Sequence, residues 1–253
     1  MARRQRRFWR VPFSGSGLIV LYRVFFDGTG RYSGSQFRIF HSLSNDIAFD
    51  EEYALIEDQP PFSVRFYQQG NEFEFCGAGA LCLAYYLKQQ GQLTEDLVIK
   101  HTSFPFELTL IPEEQTPAVM LPKLAAAETI DIEGFRSVYY FKPQDVAVFW
   151  VDNLDQVQDF QFDAAQTAVA CNTAIVVYIE ELLNAVYFRY FTRFNNKGED
   201  QATGSFFRYL AALPLDHNIW YEVNQESEQG AAMQCSLESD RIVYTGKVEK
   251  LAE

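Results

Sequence analysis

The sequence predicts an α+β fold made of two similar halves, each with a sheet around one apolar helix. Short apolar and aromatic runs separated by turn residues make up most of the chain, which is typical of strands that bury one face. Two stretches, "GALCLAYYL" at 79–87 and "SFFRYLAAL" at 205–213, are instead apolar on nearly every face of a helix, with Arg208 as the main exception. A helix of that composition is buried, so each is expected to run through the centre of its own sheet.

The predicted elements follow the same style in both halves. In the first half the helix is 79–89 and the strands are 18–26, 36–40, 53–56, 63–67, 73–75, 97–101, 106–111 and 118–121. In the second half the helix is 204–212 and the strands are 135–141, 146–151, 174–179, 185–191, 220–223, 232–238 and 241–245. Because strands dominate and each half has one principal helix, a doubly wound parallel sheet is not expected.

An internal repeat supports this division. When each residue is set beside the residue 125 positions later, "FSVRFYQQGNEFEFCGAGAL" aligns with "YFRYFTRFNNKGEDQATGSF", and Gly79 aligns with Gly204. Both copies run from an apolar strand through a polar loop and a small-residue turn into an apolar helix. We therefore predict an N-terminal domain at 18–121 and a C-terminal domain at 135–240, joined by the linker Pro122–Gly134.

Composition and charge exclude several classes of protein. Hydrophobic residues make up 48% of the 253 residues and aromatic residues 16%, which is ample for a sizeable core. The net charge of −13 argues against a nucleic-acid-binding protein. The basic segment Met1–Arg10 stands apart, and we expect residues 1–17 to be a disordered extension, with a transit peptide or a nucleic-acid-binding arm as alternatives.

No membrane, metal or nucleotide site is predicted. "LIVLYRVFF" is too short to span a bilayer and is interrupted by Arg23, so we predict a cytoplasmic protein. The four cysteines lack the spacing of a disulfide framework or a zinc site, and the three histidines are scattered. "GTGRYSG" at 28–34 lacks the strand-to-helix context of a dinucleotide-binding loop, so no cofactor is predicted.

The two small-residue turns are the candidate binding site. "CGAGA" at 76–80 and "QATGS" at 201–205 each precede a helix, whose first N–H groups are unpaired and lie at the positive end of the helix dipole. Glycine lets a ligand approach the backbone and a hydroxyl adds a donor, so both turns are suited to a carboxylate, although Thr203 or Ser205 can instead serve as ordinary N-caps. Two such turns facing one cleft would hold a small carboxylate ligand, with Asp200 on the rim. The candidate substrate-binding residues are Cys76, Gly77, Ala78, Gly79, Thr203, Gly204 and Ser205.

These motifs resemble those of a known family. "GEDQATGSFFRYLAAL" is similar to the ED-P-ATGSA signature and helix of the PhzF-like phenazine-biosynthesis family. "FEFCGAGALCLAYYL" resembles that family's "FAGHPTLGTA" segment and, more loosely, the "CGNGARC" segment of diaminopimelate epimerases. The resemblance extends from Leu18 to Leu251. It implies a diaminopimelate-epimerase-like fold of two pseudo-symmetric domains, with the active site between them, the last strand (about 241–251) returning to the first domain, and a homodimer as the assembly.

The resemblance also implies a reaction. Such proteins move protons without a cofactor, which points to an isomerase acting on a small carboxylated metabolite. The family's signature aspartate falls on Asp200, and its acid/base glutamate falls within "FDEEYALI", where Glu51 fits best. Asp50 and Glu52 remain alternatives by a slip of one residue. The implied catalytic residues are Glu51 and Asp200.

Two departures from the family pattern leave a second function open. The family histidine is replaced by Ala78 and the following proline by Gly79. Cys76 matches the first of the two epimerase cysteines, but the second position falls on Gln201, which disfavours racemisation by a pair of thiols. The alternative is therefore a non-catalytic protein that binds a small anion on the same fold.

Overall fold

A computed structural model describes most of the chain. The described residues are 19–41, 53–56, 62–68, 71–124, 127–162, 169–193, 198–210, 212–238 and 240–251. The predicted acid/base residue Glu51, its alternatives Asp50 and Glu52, and the predicted extension 1–17 lie outside them. Within the described ranges, no helix combines the length and the apolar composition needed to cross a bilayer.

The first half forms a curved sheet around one long helix, α1 (Gly77–Gln89). Its strands are β1 (Ile19–Val24), β2 (Ser35–His41), β3 (Tyr53–Ile56), β4 (Ser63–Gln68), β5 (Asn71–Phe73), β6 (Leu97–His101), β7 (Glu107–Ile111) and β8 (Ala118–Pro122). Strands β1, β2, β3, β7 and β8 all contact α1, which explains why its small and apolar residues are buried on nearly every face. The predicted buried helix is present and begins two residues earlier than expected.

The second half is also a sheet with its helix on one face. Its strands are β9 (Glu128–Ile130), β10 (Ser137–Phe141), β11 (Val146–Trp150), β12 (Thr173–Glu180), β13 (Ala185–Thr192), β14 (Glu199–Asp200), β15 (Trp220–Gln225) and β16 (Ala231–Leu237). Two strands follow along the chain, β17 (Arg241–Thr245) and β18 (Val248–Lys250). The short helix α2 (Leu154–Asp159) packs on β12 and β13 from the opposite face. Apolar residues cover both faces of these strands, which accounts for the uninterrupted apolar run of β11.

The predicted helix 204–212 is shorter than expected. A 3₁₀ turn (Gly204–Phe206) leads into α3 (Phe207–Leu210), after which the N–H groups of Ala212 and Leu213 donate to carbonyls three residues back. Pro214 disfavours helical backbone at the residue before it, and this explains the early end. Aromatic stacking holds the segment in place: the Phe206 ring lies 3.9 Å from that of Phe188.

The two halves share a strand and a core. β17 pairs with β16 of the second half and with β8 of the first, and β18 pairs with β1. The end of the chain therefore lies on the sheet that surrounds α1. One apolar core contains α1 and the 204–210 segment together, while a smaller core lies between the second sheet and α2. The α+β, diaminopimelate-epimerase-like fold predicted from the sequence is confirmed; the domain boundaries remain a prediction.

Candidate active site

The two predicted helix starts touch each other. A Cβ atom added to Gly77 would lie 2.3 Å from the carbonyl carbon of Gly204, and one added to Gly204 would lie 2.7 Å from the Cα of Gly77. These distances are too short for any side chain, so glycine is required on both sides of the contact. In the sequence repeat Gly204 aligns with Gly79, but in the structure Gly204 contacts Gly77. Gly79 packs against the ring of Phe37.

A cleft of about 750 Å³ opens where the two starts meet. Residues of both halves line it, including strand ends, the loop at 143–144 and the turn at 200–205. The predicted site residues that line it are Cys76, Gly77, Ala78, Asp200, Thr203, Gly204 and Ser205. Gly79 is not among the lining residues. Within the described ranges, no three His, Cys, Asp or Glu side chains lie close enough together to hold a metal ion.

The start of α1 presents backbone donors to the cleft wall. Cys76 is the N-cap, and its Sγ accepts the N–H of Gly79 at 3.3 Å. The N–H groups of Gly77 and Ala78 have no acceptor among the described residues. The buried hydroxyl of Tyr244 donates to the carbonyl of Gly77 at 2.9 Å and so fixes the peptide at the contact. A carboxylate or an oxyanion in the cleft can therefore accept from this helix start.

The facing turn is held by one buried amide side chain. Gln225, which is fully buried in β15, accepts the N–H of Thr203 at 2.6 Å. Its Nε2 donates to the carbonyl of Asp200 and, at 3.3 Å, to the hydroxyl of Thr203. The Gln225 side chain thus connects Thr203, the residue before the 3₁₀ turn, with Asp200, which carries the cleft carboxyl group. The sequence alone does not single it out, because its partners are backbone groups distant along the chain.

Asp200 carries a carboxyl group with an altered acidity. It lies in β14 opposite Tyr190. Burial raises the pKa of Asp200, and Glu199 adds to this, whereas hydrogen bonds from the Thr203 side chain and from the N–H groups of Ala202 and Gln201 oppose it. A carboxyl group whose pKa is shifted toward neutrality can both take and give a proton.

Two phenols line the cleft, and one of them, Tyr190, is the strand partner of Asp200. Burial raises the pKa of Tyr190, an effect that the Ser205 and Thr173 hydroxyls oppose. Burial also raises the pKa of Tyr209, whose ring packs edge-on against Phe141. Both phenols are therefore neutral hydrogen-bonding groups at physiological pH.

A partly buried ion pair joins the two halves across the cleft. Arg208 Nη1 donates to Glu74 Oε2 at 2.7 Å, and both residues line the cleft. The guanidinium carbon lies 5.1 Å from the centre of the Phe106 ring and 5.9 Å from that of Phe75. The sequence alone assigns no role to this pair, although a single cation within an otherwise apolar helix was the available signal.

Only one cysteine belongs to the cleft among the described residues. Cys82, Cys171 and Cys235 are buried elsewhere, and burial raises the pKa of Cys171 to about 11. Gln201, at the position expected for a second epimerase thiol, bonds to the Glu199 carbonyl and the Gln229 N–H. The described residues therefore offer carboxyl groups, and not a pair of thiols, as the acid/base groups of the cleft.

Comparison with solved structures defines the fold. A PhzF-family phenazine biosynthesis protein from Enterococcus faecalis superposes with a TM-score of 0.69 at 17% identity, covering 93% of this chain and 98% of the other. A PhzC/PhzF protein from Clostridium difficile gives 0.68 at 15% identity, covering 92% and 96%. This chain has the fold of the PhzF-family proteins.

A solved epimerase structure is also similar to this chain, at a lower TM-score. A hydroxyproline epimerase from Agrobacterium vitis, solved with trans-4-hydroxy-L-proline, gives a TM-score of 0.54 at 9% identity, covering 92% of this chain and 91% of the other. No protein-family model matches the chain, and no curated protein matches it in sequence. The PhzF likeness therefore rests on structure and on the signature quoted above.

Proposed function

We propose that this protein is an isomerase that moves a proton between two carbons of a small carboxylated metabolite, without a cofactor, in the cleft between its halves. The observation that carries the proposal is the cleft carboxyl group of Asp200, whose pKa burial raises, beside the unpaired N–H groups of α1. A proton-transfer catalyst needs an acid/base group of this kind and a donor site for the negative charge that develops. The fold shared with PhzF-family proteins and with an epimerase supports the same class of reaction.

The reaction needs no electron acceptor. A carboxylate removes a C–H proton, and the electron pair of that bond forms a new double bond to the neighbouring carbon. The π electrons of the existing double bond move to its far carbon, where the carboxyl group returns the proton. The N–H groups of Gly77 and Ala78 hold the substrate carboxylate and stabilise the charge that is delocalised into it. Asp200 serves as a proton-holding group on the opposite wall.

Glu51 is proposed as the carboxylate that moves the proton. Its own position is not described, but the strand that follows it is: β3 begins at Tyr53, which pairs with Tyr67 in antiparallel register. The next residue of β4, Gln68, lines the cleft. The chain therefore enters β3 at the cleft end of the strand, and this is the observation that supports Glu51 as the proposed proton-moving carboxylate.

Deuterium incorporation tests the assignment. The protein is incubated in D2O with cyclohexene carboxylates, which contain the double bond that the shift requires, and exchange at carbon is followed by NMR. We expect exchange in the wild type and its loss in Glu51→Gln and Asp200→Asn, with Asp50→Asn and Glu52→Gln as matched controls that retain it. Equal exchange in the wild type and Glu51→Gln excludes Glu51 from the role, and loss in a control instead moves the role to that position.

A non-catalytic anion-binding protein is the second candidate. Ala78, which lines the cleft, stands where the PhzF-like signature has histidine, so a polar group that the family carries is missing here. The same experiment separates the two: binding of the acids without exchange in the wild type favours the second candidate. A cytoplasmic location and a homodimeric assembly remain predictions, and light scattering after size exclusion checks the assembly.

A further inference from the structure

Arg208 is a buried cation whose hydrogen-bonding capacity is mostly unused. Only 9% of the residue is exposed, and it is the sole cationic side chain among the described residues that line the cleft. A guanidinium carries five N–H donors, but Arg208 makes one hydrogen bond to the described residues, from Nη1 to Glu74. No Arg208 nitrogen is among the fully buried side-chain atoms that lack a partner in the described part of the chain, so its remaining N–H groups are accessible to water or to a ligand in the cleft.

The surroundings of Arg208 favour a negatively charged ligand over a purely structural ion pair. Phe75 and Phe106 flank the guanidinium, which keeps the planar group oriented and partly dehydrated. Glu74, in contrast, is about one third exposed, so the pair is asymmetric: the cation is fixed and the anion faces solvent. A carboxylate that enters the cleft can therefore bind the remaining N–H groups in the bidentate manner that guanidinium favours.

Arg208 is separate from the donors at the helix starts. It follows Gly204 by four residues, which is roughly 6–8 Å along the helical segment. Gly204 is in contact with Gly77, whose N–H belongs to the first donor site. The cleft thus presents two positions for negative charge, one at the start of α1 and one at Arg208, with the apolar and aromatic wall of Phe73, Phe75 and Phe104 nearby.

We propose that the substrate carries two anionic groups and that Arg208 binds the second. The substrate class is a small dicarboxylate, in which one carboxylate accepts from the N–H groups of Gly77 and Ala78 and the other from the guanidinium. Glu74 acts as the counter-ion that keeps Arg208 fixed in the empty site and that competes mildly with the ligand. The inference rests on the proposed function only in taking this cleft as the substrate site.

Rigid acids of matched shape test the proposal. Dissociation constants of benzoate, phthalate, isophthalate and terephthalate are measured by calorimetry at one ionic strength. We expect at least one dicarboxylate to bind the wild type about tenfold or more tightly than benzoate. Arg208→Gln is expected to abolish that preference, and Arg208→Lys to retain part of it. Arg241→Gln removes the same charge from an exposed side chain and should leave all four affinities unchanged.

Glu74→Gln separates a ligand-binding arginine from a structural one. If Arg208 binds the second carboxylate, removing its competitor raises the affinity for the dicarboxylate. If the ion pair only joins the two halves, Glu74→Gln lowers that affinity or leaves it unchanged. This variant also decides the matter should Arg208→Gln fail to fold, which circular dichroism reveals.

The outcomes distinguish this inference from the proposed function. No dicarboxylate preference in the wild type, a preference that survives in Arg208→Gln, or no binding of any of the four acids overturns the inference. If the wild type exchanges deuterium but shows no dicarboxylate preference, the inference is overturned and the proposed function is still supported. A preference that depends on Arg208 in a protein without exchange supports the inference and contradicts the isomerase.

Discussion

At the scale of single residues, the site contains two charged-type side chains in largely buried positions that lower the stability of the folded protein. Asp200 is a carboxyl group that burial makes harder to ionise, and Arg208 is a cation with few protein partners. Such groups reduce stability in the empty protein and are retained where they bind or react. The sequence predicted Asp200 through its motif, whereas Arg208 and Glu74 lie 134 positions apart and only the fold joins them.

Asp200→Asn is expected to reduce deuterium exchange without lowering the free energy of unfolding at neutral pH. Because the folded-state pKa is raised, the stabilising contribution of Asp200 is present below its ordinary pKa of 3.8 and is lost as the pH rises through the folded value. The amide avoids this loss, so urea denaturation at neutral pH should show the variant to be at least as stable as the wild type. Deuterium exchange should fall by about 100-fold or more.

Glu199→Gln is the matched control for that prediction. Its carboxylate pairs with Arg189 at 2.7 Å beside the same strand, so its loss is expected to lower stability and leave exchange largely intact. A clear loss of stability in Asp200→Asn at neutral pH would contradict the account of its acidity.

At the scale of elements, glycine–glycine contact sets how α1 meets the facing turn. Gly77→Ala is expected to destabilise the protein strongly or to prevent folding, because the new Cβ meets the backbone of Gly204 and not a movable side chain. Thermal and urea unfolding measure the effect. Gly28→Ala is the control, since its Cβ would meet only the flexible end of Lys247, and equal tolerance of both substitutions would contradict the close contact.

β15 positions the same turn through Gln225. Gln225→Leu leaves a buried N–H of Thr203 and a carbonyl of Asp200 without their partner, which should lower the free energy of unfolding by about 2–4 kcal/mol. Exchange activity should fall as well, because Asp200 loses its fixed position. Gln234→Leu on the neighbouring strand serves as the control: this side chain is exposed, and the change should stay within about 0.5 kcal/mol.

The turn after β6 should make stability depend on pH. Burial lowers the pKa of His101, and the positive charge of Arg65 lowers it further. Glu72, the Phe73 carbonyl and Glu74 act in the opposite direction. The neutral ring accepts the N–H groups of Ser103 and Phe104 on Nδ1. Because the pKa of His101 is lower in the folded state, its contribution to the free energy of unfolding is fully present above the ordinary pKa of 6.5. That contribution is lost as the pH falls from 6.5 toward the folded-state pKa.

Urea denaturation across that range checks the prediction. The wild type should lose stability as the pH falls below 6.5, and His101→Asn should lose less. His217→Gln, at an exposed position, should behave like the wild type. Parallel pH curves for all three proteins would exclude His101 as the cause.

At the scale of the whole molecule, local pattern predicted the parts and only the fold shows how they combine. Strands 53–56, 97–101 and 241–245 match the structure at both ends, because each is a short apolar run between turn residues. The short β9 and β14 were missed, since pairing with the neighbouring strands β10 and β13, and not composition, creates them. The early end of the second helix and the contact of Gly77 with Gly204 likewise depend on tertiary packing.

A crystal structure with a bound aromatic acid, isophthalate, tests most directly whether both halves bind one small acid between them. We predict one carboxylate within hydrogen-bonding distance of the N–H groups of Gly77 and Ala78, with the carboxyl group of Asp200 on the opposite wall. Binding of the acid at another place on the molecule would contradict this prediction. So would a structure in which the two helix starts are not in contact or in which side chains fill the cleft.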